Sequence, residues 1–159
     1  MSNAFVRKYV ITALAGTPEV VSALLKDMLP DDPLWDARPH PERFTLREVM
    51  AHLADWDEIW LGRVRRITTE ESPVLPDIDE GQIAIEHDYE HQDPLQNLQR
   101  FTHTRTTLIS TLRDLPDDAW DRIGVRPPLI GAVSLESLAA MVLGHDGYHT
   151  QQVAQWIRA

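Results

Sequence analysis

The chain of 159 residues contains no cysteine. Disulfide bonds, thiolate zinc sites and cysteine nucleophiles are therefore excluded, and a transition-metal site would have to use imidazole and carboxylate ligands. The sequence also lacks the run of about 20 apolar residues that crosses a bilayer, and its first residues lack the apolar segment and cleavage site of a signal peptide. We therefore expect a cytoplasmic protein with no membrane partner.

Positive charge is scarce as well, because 15 Lys and Arg residues stand against 25 Asp and Glu residues and the formal net charge is -10. This charge repels phosphate backbones, so nucleic acid is not an expected partner. Nine of the acidic residues fall between Glu70 and Asp93, in a stretch without Lys or Arg. This stretch is predicted to be a solvated acidic loop, and the alternative is an interaction surface for a cationic partner.

Apolar residues recur at three- and four-residue steps in four stretches, which is typical of amphipathic helices. Thr17 followed by Pro18 predicts the start of the first helix, because threonine caps well and proline is tolerated at the first helical position. A shorter helix is expected before it, from Phe5 to Leu14, with a break at Gly16.

The other three helices are also marked by their caps. Thr45 and Glu48 match a capping box, which predicts the start of the second helix. Asp93 before Pro94 predicts the start of the third helix. Ser134 is a plausible cap for the last helix, which is expected to run close to the end of the chain.

The whole sequence, residues 1–159, is predicted to form a single all-α domain, because strand-like alternation is absent. Four helices with one apolar stripe each bury those stripes most simply as a four-helix bundle. The connection over residues 68–92 contains Pro73, Pro76 and Gly81 and is long for a compact domain. We expect it to cover one end of the bundle.

Two histidines stand four residues apart on the last predicted helix, His145 and His149. Side chains at this spacing lie one above the other, so both imidazoles can reach one metal ion. Taken alone, the pair is explained equally well by histidines at the edge of the core. A second pair, His87 and His91, lies in the acidic stretch, where it is expected to be exposed, with an accessory metal or a lid role as the alternative.

His52 changes the balance, because it lies beside the apolar stripe of the second helix. Metal sites in bundles use inward-facing side chains from neighbouring helices. One ligand from the second helix and two from the last would give three ligands and leave a position open for water or substrate, as in catalytic sites. We therefore predict a metal site on His52, His145 and His149.

Other polar and aromatic side chains near these histidines are candidates for supporting roles. Asp55, Asp57 and Asp146 could hold an imidazole tautomer, although each is more readily explained as a surface carboxylate. Gln152 could bond a metal-bound water or only cap the core. We take Gln152 and Asp55 as the candidates for orienting a bound nucleophile. Trp56, Trp60 and Trp156 are predicted to be core aromatics, with a wall of the substrate site as the alternative.

The run from Phe44 to Asp55, together with the pattern His145-Asp146-x-x-His149-x-x-Gln152, resembles the DinB-like superfamily. The similarity covers nearly the whole chain. It implies an up-down-down-up four-helix bundle, a three-histidine metal site and a homodimer. It also implies that a low-molecular-weight thiol could take part in the reaction, because some relatives use such thiols in transfer or isomerisation.

Two classes of function follow from the sequence. The first is a metal-dependent enzyme, a thiol transferase or a hydrolase, in which a nickel or zinc ion activates a bound water or thiol against a small electrophilic substrate. The second is a non-catalytic metal-binding or stress-response module that uses the bundle as an interaction surface. A fourth protein ligand, for example His87 or His91, would favour the second class.

Overall fold

The structure of the chain is a computed structural model that describes residues 4–128 and 130–158. The described residues form α-helices and one β-hairpin: α1 (Ala4–Leu24), α2 (Leu46–Thr69), α3 (Glu80–Glu86), α4 (Pro94–Arg113), β1 (Ile123–Arg126), β2 (Gly131–Ser134) and α5 (Leu135–Trp156). Single 3-10 turns occur at Pro33–Asp36, Tyr89–His91 and Asp117–Asp121. Within the described residues, no helix is long and apolar enough to cross a membrane.

The four long helices form the predicted bundle. α2 packs against α4 and α5, and α1 packs against the same two helices. α2 and α4 run in the same direction, because Asp55 and Asp57 bond Arg100 and Arg105 in that order. α2 and α5 run in opposite directions, because the segment that enters α2 bonds the last turn of α5, from Trp156 to the Phe44 carbonyl. α1 runs opposite to α4, because Arg7 bonds Asp117 beyond the end of α4 whereas the Leu14 carbonyl accepts from Arg105 earlier in α4. The up-down-down-up arrangement is thus confirmed.

The core consists of two apolar clusters with polar residues between them. One cluster contains Trp56 and Val142, and the other contains Met50 and Val153. On α5, the two histidines of the predicted site lie in sequence between Val142 and Val153. The fold therefore brings polar side chains together at the level where one apolar cluster gives way to the other.

The predicted caps are present at three of the four long helices. Glu48 donates its amide to the hydroxyl of Thr45, and Thr45 donates its amide to the Glu48 carboxylate, which completes the capping box of α2. The Asp93 carboxylate accepts from amides in the first turn of α4. Ser134 caps α5 by accepting from the Ser137 amide.

The predicted start of the first helix at Thr17 was wrong, because α1 runs without a break through Gly16 and Pro18. A proline inside a helix lacks the N–H that would bond the carbonyl four residues earlier, which is here that of Leu14. The guanidinium of Arg105 donates to this carbonyl at 2.8 Å. A side chain from α4 thus replaces the backbone donor that Pro18 lacks.

Two further expectations from the sequence need correction. Residues 123–134 contain a β-hairpin, although no strand was predicted, and Leu75 adds a third extended segment by donating its amide to the Val125 carbonyl. The predicted loop over residues 68–92 also contains the short helix α3, capped by Asp79. Strands of four residues and a helix of seven are too short for a periodic pattern to reveal them.

Candidate metal centre

The three predicted histidines converge between α2 and α5. His145 and His149 lie one turn apart on α5, and His52 faces them from α2, so that the ring centroids lie 4.6 to 5.0 Å from one another. One ring nitrogen from each histidine lies within 4.8 Å of the other two. The antiparallel packing of α2 against α5 therefore brings these histidines together, although His52 is distant in sequence from the other two.

The cluster has suitable dimensions for a transition metal. The Nε2 atoms of His52 and His145 are 2.9 Å apart. Nitrogen ligands on a tetrahedral zinc lie about 2.0–2.1 Å from the metal and so about 3.4 Å from one another. The three ring nitrogens all lie within 4.8 Å of one another, a range that includes that spacing, and the residues therefore fit one divalent ion.

Burial keeps the imidazoles neutral, which is the form that binds metal. His52 is fully buried, and burial together with the charges of its two neighbours lowers its pKa far below the usual value. Burial, and then the charge of His145, lowers the pKa of His149 to about 3. Burial and the charge of Arg105 lower the pKa of His145 to about 4.

Gln152 fixes the tautomer of His149. Its side-chain N–H donates to the Phe44 carbonyl at 2.9 Å, which leaves its oxygen facing His149 Nδ1 at 3.1 Å. Because this oxygen can only accept, Nδ1 carries the proton and Nε2 keeps its lone pair for an ion. This contact differs from the expected bond to a metal-bound water, and a role of Gln152 toward a bound nucleophile stays a prediction.

The three aspartates near the site are buried, contrary to the surface explanation, but their bonds lead away from the histidines. Asp57 and Asp146 bond Arg105. Asp55 accepts from Tyr89 and Arg100, and its other short contact is to His87 Nδ1 at 2.6 Å. Asp55 thus anchors the segment after α3 to α2, and its role in orienting a nucleophile remains a prediction.

The histidine pair of the acidic stretch does not join the three-histidine cluster. His87 is half exposed and faces Asp55. His91 is exposed and lies 2.7 Å from Asp88, in a second group that also contains Glu90 and is exposed throughout. Among the described residues, the buried cluster therefore has three candidate ligands and no fourth.

Two cavities reach the histidines, and Glu80 lines both of them. The first, of about 250 Å³, is lined by His149, Gln152 and Arg43. The second, of about 220 Å³, is lined by His145 and by side chains of α2 and the hairpin. Residues of the 68–92 connection line both cavities. A small molecule can therefore approach the histidines by two routes.

Comparisons with known proteins identify the family and support the fold. The family model described as the DinB superfamily matches residues 13–153. Among solved structures, the chain is similar to YfiT from Bacillus subtilis, described as a probable metal-dependent hydrolase with an unusual four-helix bundle topology. The TM-score is 0.91 at 22% identity, over 99% of this chain and 89% of that chain. No curated protein matches the sequence. The chain belongs to the DinB superfamily.

Proposed function

We propose that the chain is a metal-dependent enzyme with His52, His145 and His149 as the ligands of one divalent ion. The observation that carries this proposal is the convergence of three neutral imidazoles, two of them buried and that of His145 partly buried, with no fourth ligand among the described residues. Three protein ligands and an open position are characteristic of catalytic rather than structural sites. The three-ligand set therefore supports an enzyme over a storage or purely structural role.

When bound, such an ion lowers the pKa of a coordinated water or thiol toward neutrality and so supplies a nucleophile. The protein holds the three rings in place and keeps them unprotonated. The ring centroids of Phe44 and Trp56 each lie 5.3 Å from that of His52, so these two aromatic side chains flank the cluster. Phe44 also lines the cavity beside His149, and Trp56 lines the cavity beside His145.

Water and a small thiol are the two candidate nucleophiles. The resemblance to relatives that use low-molecular-weight thiols favours thiol transfer. The description of the Bacillus subtilis protein as a probable hydrolase favours water. The choice of nickel or zinc, the homodimer and the cytoplasmic location remain predictions.

The test uses cobalt(II) in place of the native metal, because the visible spectrum of cobalt reports on its ligands. Cobalt-loaded protein is titrated with 2-mercaptoethanol and, separately, with azide. A sulfur-to-cobalt charge-transfer band with the thiol supports thiol transfer, whereas a change with azide alone supports a water nucleophile. A cobalt spectrum that neither ligand alters would contradict the open position, and loss of the spectrum in His149→Ala is the expected control.

A further inference from the structure

Two arginines line the cavity beside His145. Arg63 comes from α2 and Arg126 from the end of β1, and with Trp60 they form one wall of the 220 Å³ cavity. Arg63 is 6% exposed, and its guanidinium lies 4.9 Å from the ring of Trp60. Burying a charged group is costly unless it is paired. The cavity therefore contains charges that need a partner.

Asp77 is the one described carboxylate that forms an ion pair with either guanidinium. Arg126 pairs with Asp77 at 2.9 Å, while the hydrogen bond of Arg63 goes to the Pro76 carbonyl. No described carboxylate lies within ion-pair distance of Arg63. Burial, and then the charge of Arg126, lowers the pKa of Arg63 to about 10, and the charge of Asp77 only partly offsets this.

Two hydrogen-bond donors in the same wall have no partner among the described residues. They are the Nε atom of Arg126 and the indole Nε1 of Trp60, and both are shielded from solvent. Buried N–H groups are nearly always paired with protein, water or ligand. Two such donors beside a buried cation indicate a preference for an acceptor that carries negative charge.

The acidic residues of the cavity do not fill this role. Asp77 is already paired with Arg126, and among the described residues Glu80 forms no ion pair with either arginine. Arg63 is therefore the cation of this cavity that has no acidic partner among the described residues. It lies over the ring of Trp60, whose centroid is 6.1 Å from that of His145. An anion bound there would be next to the three-histidine cluster.

We propose that Arg63, Arg126 and Trp60 form a subsite for the carboxylate or phosphate group of the substrate, whose reactive end faces the three-histidine cluster. This inference rests on the proposed function, and it narrows the substrate class to small anionic molecules. The guanidiniums neutralise the anion, and the indole and Arg126 Nε donate to its oxygens. The subsite thereby orients the electrophilic part of the molecule toward the nucleophile.

The test follows side-chain N–H resonances by NMR in zinc-loaded, ¹⁵N-labelled protein. The Trp60 indole signal is assigned by its loss in Trp60→Phe, and the protein is titrated with acetate or with inorganic phosphate at constant ionic strength. We expect the Trp60 indole and Arg126 Nε signals to move together and to saturate. Saturation by acetate alone indicates a carboxylate substrate, and saturation by phosphate alone indicates a phosphorylated one.

Variants separate the subsite from binding to the ion. Arg63→Met should weaken anion binding about tenfold or more, because a charge-assisted bond is lost, and Arg63→Lys should restore part of it. Arg65→Met, at an exposed position on the same helix, should leave binding unchanged. The same Trp60 shift in Arg63→Met, or no saturable shift with either anion, would overturn the subsite.

The outcome is distinguishable from failure of the proposed function. A protein that binds zinc on its histidines but shows no saturable anion shift keeps the metal site and loses the subsite. In the opposite case the chain takes up no metal, and the titration is repeated on the metal-free protein. If the anion still binds to the arginines, the subsite stands, whereas the failure to take up metal removes the proposed function.

Discussion

At the scale of single residues, burial keeps the three imidazoles neutral, and the side-chain amide of Gln152 orients the imidazole of His149. His149 is nearly fully buried, with Nδ1 bound to Gln152, so its proton is held on the side away from the cluster. The spacing of His145 and His149 was readable from the sequence because helical geometry alone fixes it. The contact between Gln152 and Phe44 was not readable, since its partners are 108 positions apart.

The first prediction concerns pH. An ordinary histidine has a pKa of about 6.5, so three such ligands would lose about a thousandfold in metal affinity between about pH 7.5 and 5.5. Because burial lowers the pKa of His149 to about 3 and that of His145 to about 4, no protons compete in this range. We expect the zinc dissociation constant, measured by competition with a chromophoric chelator, to change by less than about tenfold.

The same pKa shifts act on the stability of the metal-free protein with a defined sign. In the unfolded chain the histidines take up protons below about pH 6.5, whereas in the folded chain they do not. The free energy of unfolding is therefore expected to fall as the pH drops below about 6.5. In the zinc competition assay, a thousandfold loss of affinity between about pH 7.5 and 5.5 would contradict a cluster of buried, neutral histidines.

The second prediction concerns the tautomer of His149. Gln152→Leu removes the acceptor for Nδ1 while keeping a similar volume, and loss of such a supporting contact typically costs about 10- to 100-fold in metal affinity. Gln151→Leu is the matched control, because Gln151 is the exposed neighbour on the same helix. Equal zinc affinities for the two variants, by the same competition assay, would show that Gln152 does not position His149.

Single elements of the fold depend on contacts that a sequence pattern does not contain. Three caps were predicted correctly because a cap and its helix are neighbours in sequence. The continuity of α1 was missed because it depends on Arg105, which lies 91 positions from the Leu14 carbonyl that it supports. The hairpin was missed because β1 is held by pairing with β2 and with residues 73–75 rather than by its own pattern.

The third prediction tests the packing of the hairpin. A Cβ atom at Gly124 would lie 2.7 Å from Leu75 and 3.1 Å from Ile67, both fully buried. Overpacking of this kind typically costs about 1–3 kcal/mol, so Gly124→Ala should lower the free energy of unfolding by that amount. Gly144→Ala is the control, because a Cβ atom at this position of helix α5 would meet nothing within 4 Å. Chemical denaturation should show that this variant gains about 0.5–1 kcal/mol in the free energy of unfolding. The reverse order of stabilities would contradict the described packing.

One buried ion cluster ties together all four bundle helices. Arg105 of α4 donates to Asp57 of α2, to Asp146 of α5 and to the Leu14 carbonyl of α1. Thr17 of α1 completes the cluster through a hydrogen bond to Asp146. Because Asp146 follows His145 directly in sequence, the cluster also holds this part of α5 in place against α1 and α4.

The fourth prediction follows from this arrangement. Arg105→Met leaves two buried carboxylates without their cation, and breaking a buried pair in this way typically costs about 3–5 kcal/mol. Arg113→Met, at an exposed position of the same helix, should change the free energy of unfolding by no more than about 0.5 kcal/mol. Equal denaturation midpoints for the two variants would show that the cluster does not hold the bundle together.

The central claim for the whole molecule is that this DinB-superfamily chain binds one divalent metal ion on three histidines. The most direct measurement is elemental analysis of protein purified without a histidine tag, for the wild type, His149→Ala and the exposed-histidine control His103→Ala. We expect about one equivalent of a first-row transition metal in the wild type and in His103→Ala, and its loss in His149→Ala. A wild type that stays metal-free after incubation with zinc or nickel would contradict the metal site and, with it, the proposed function.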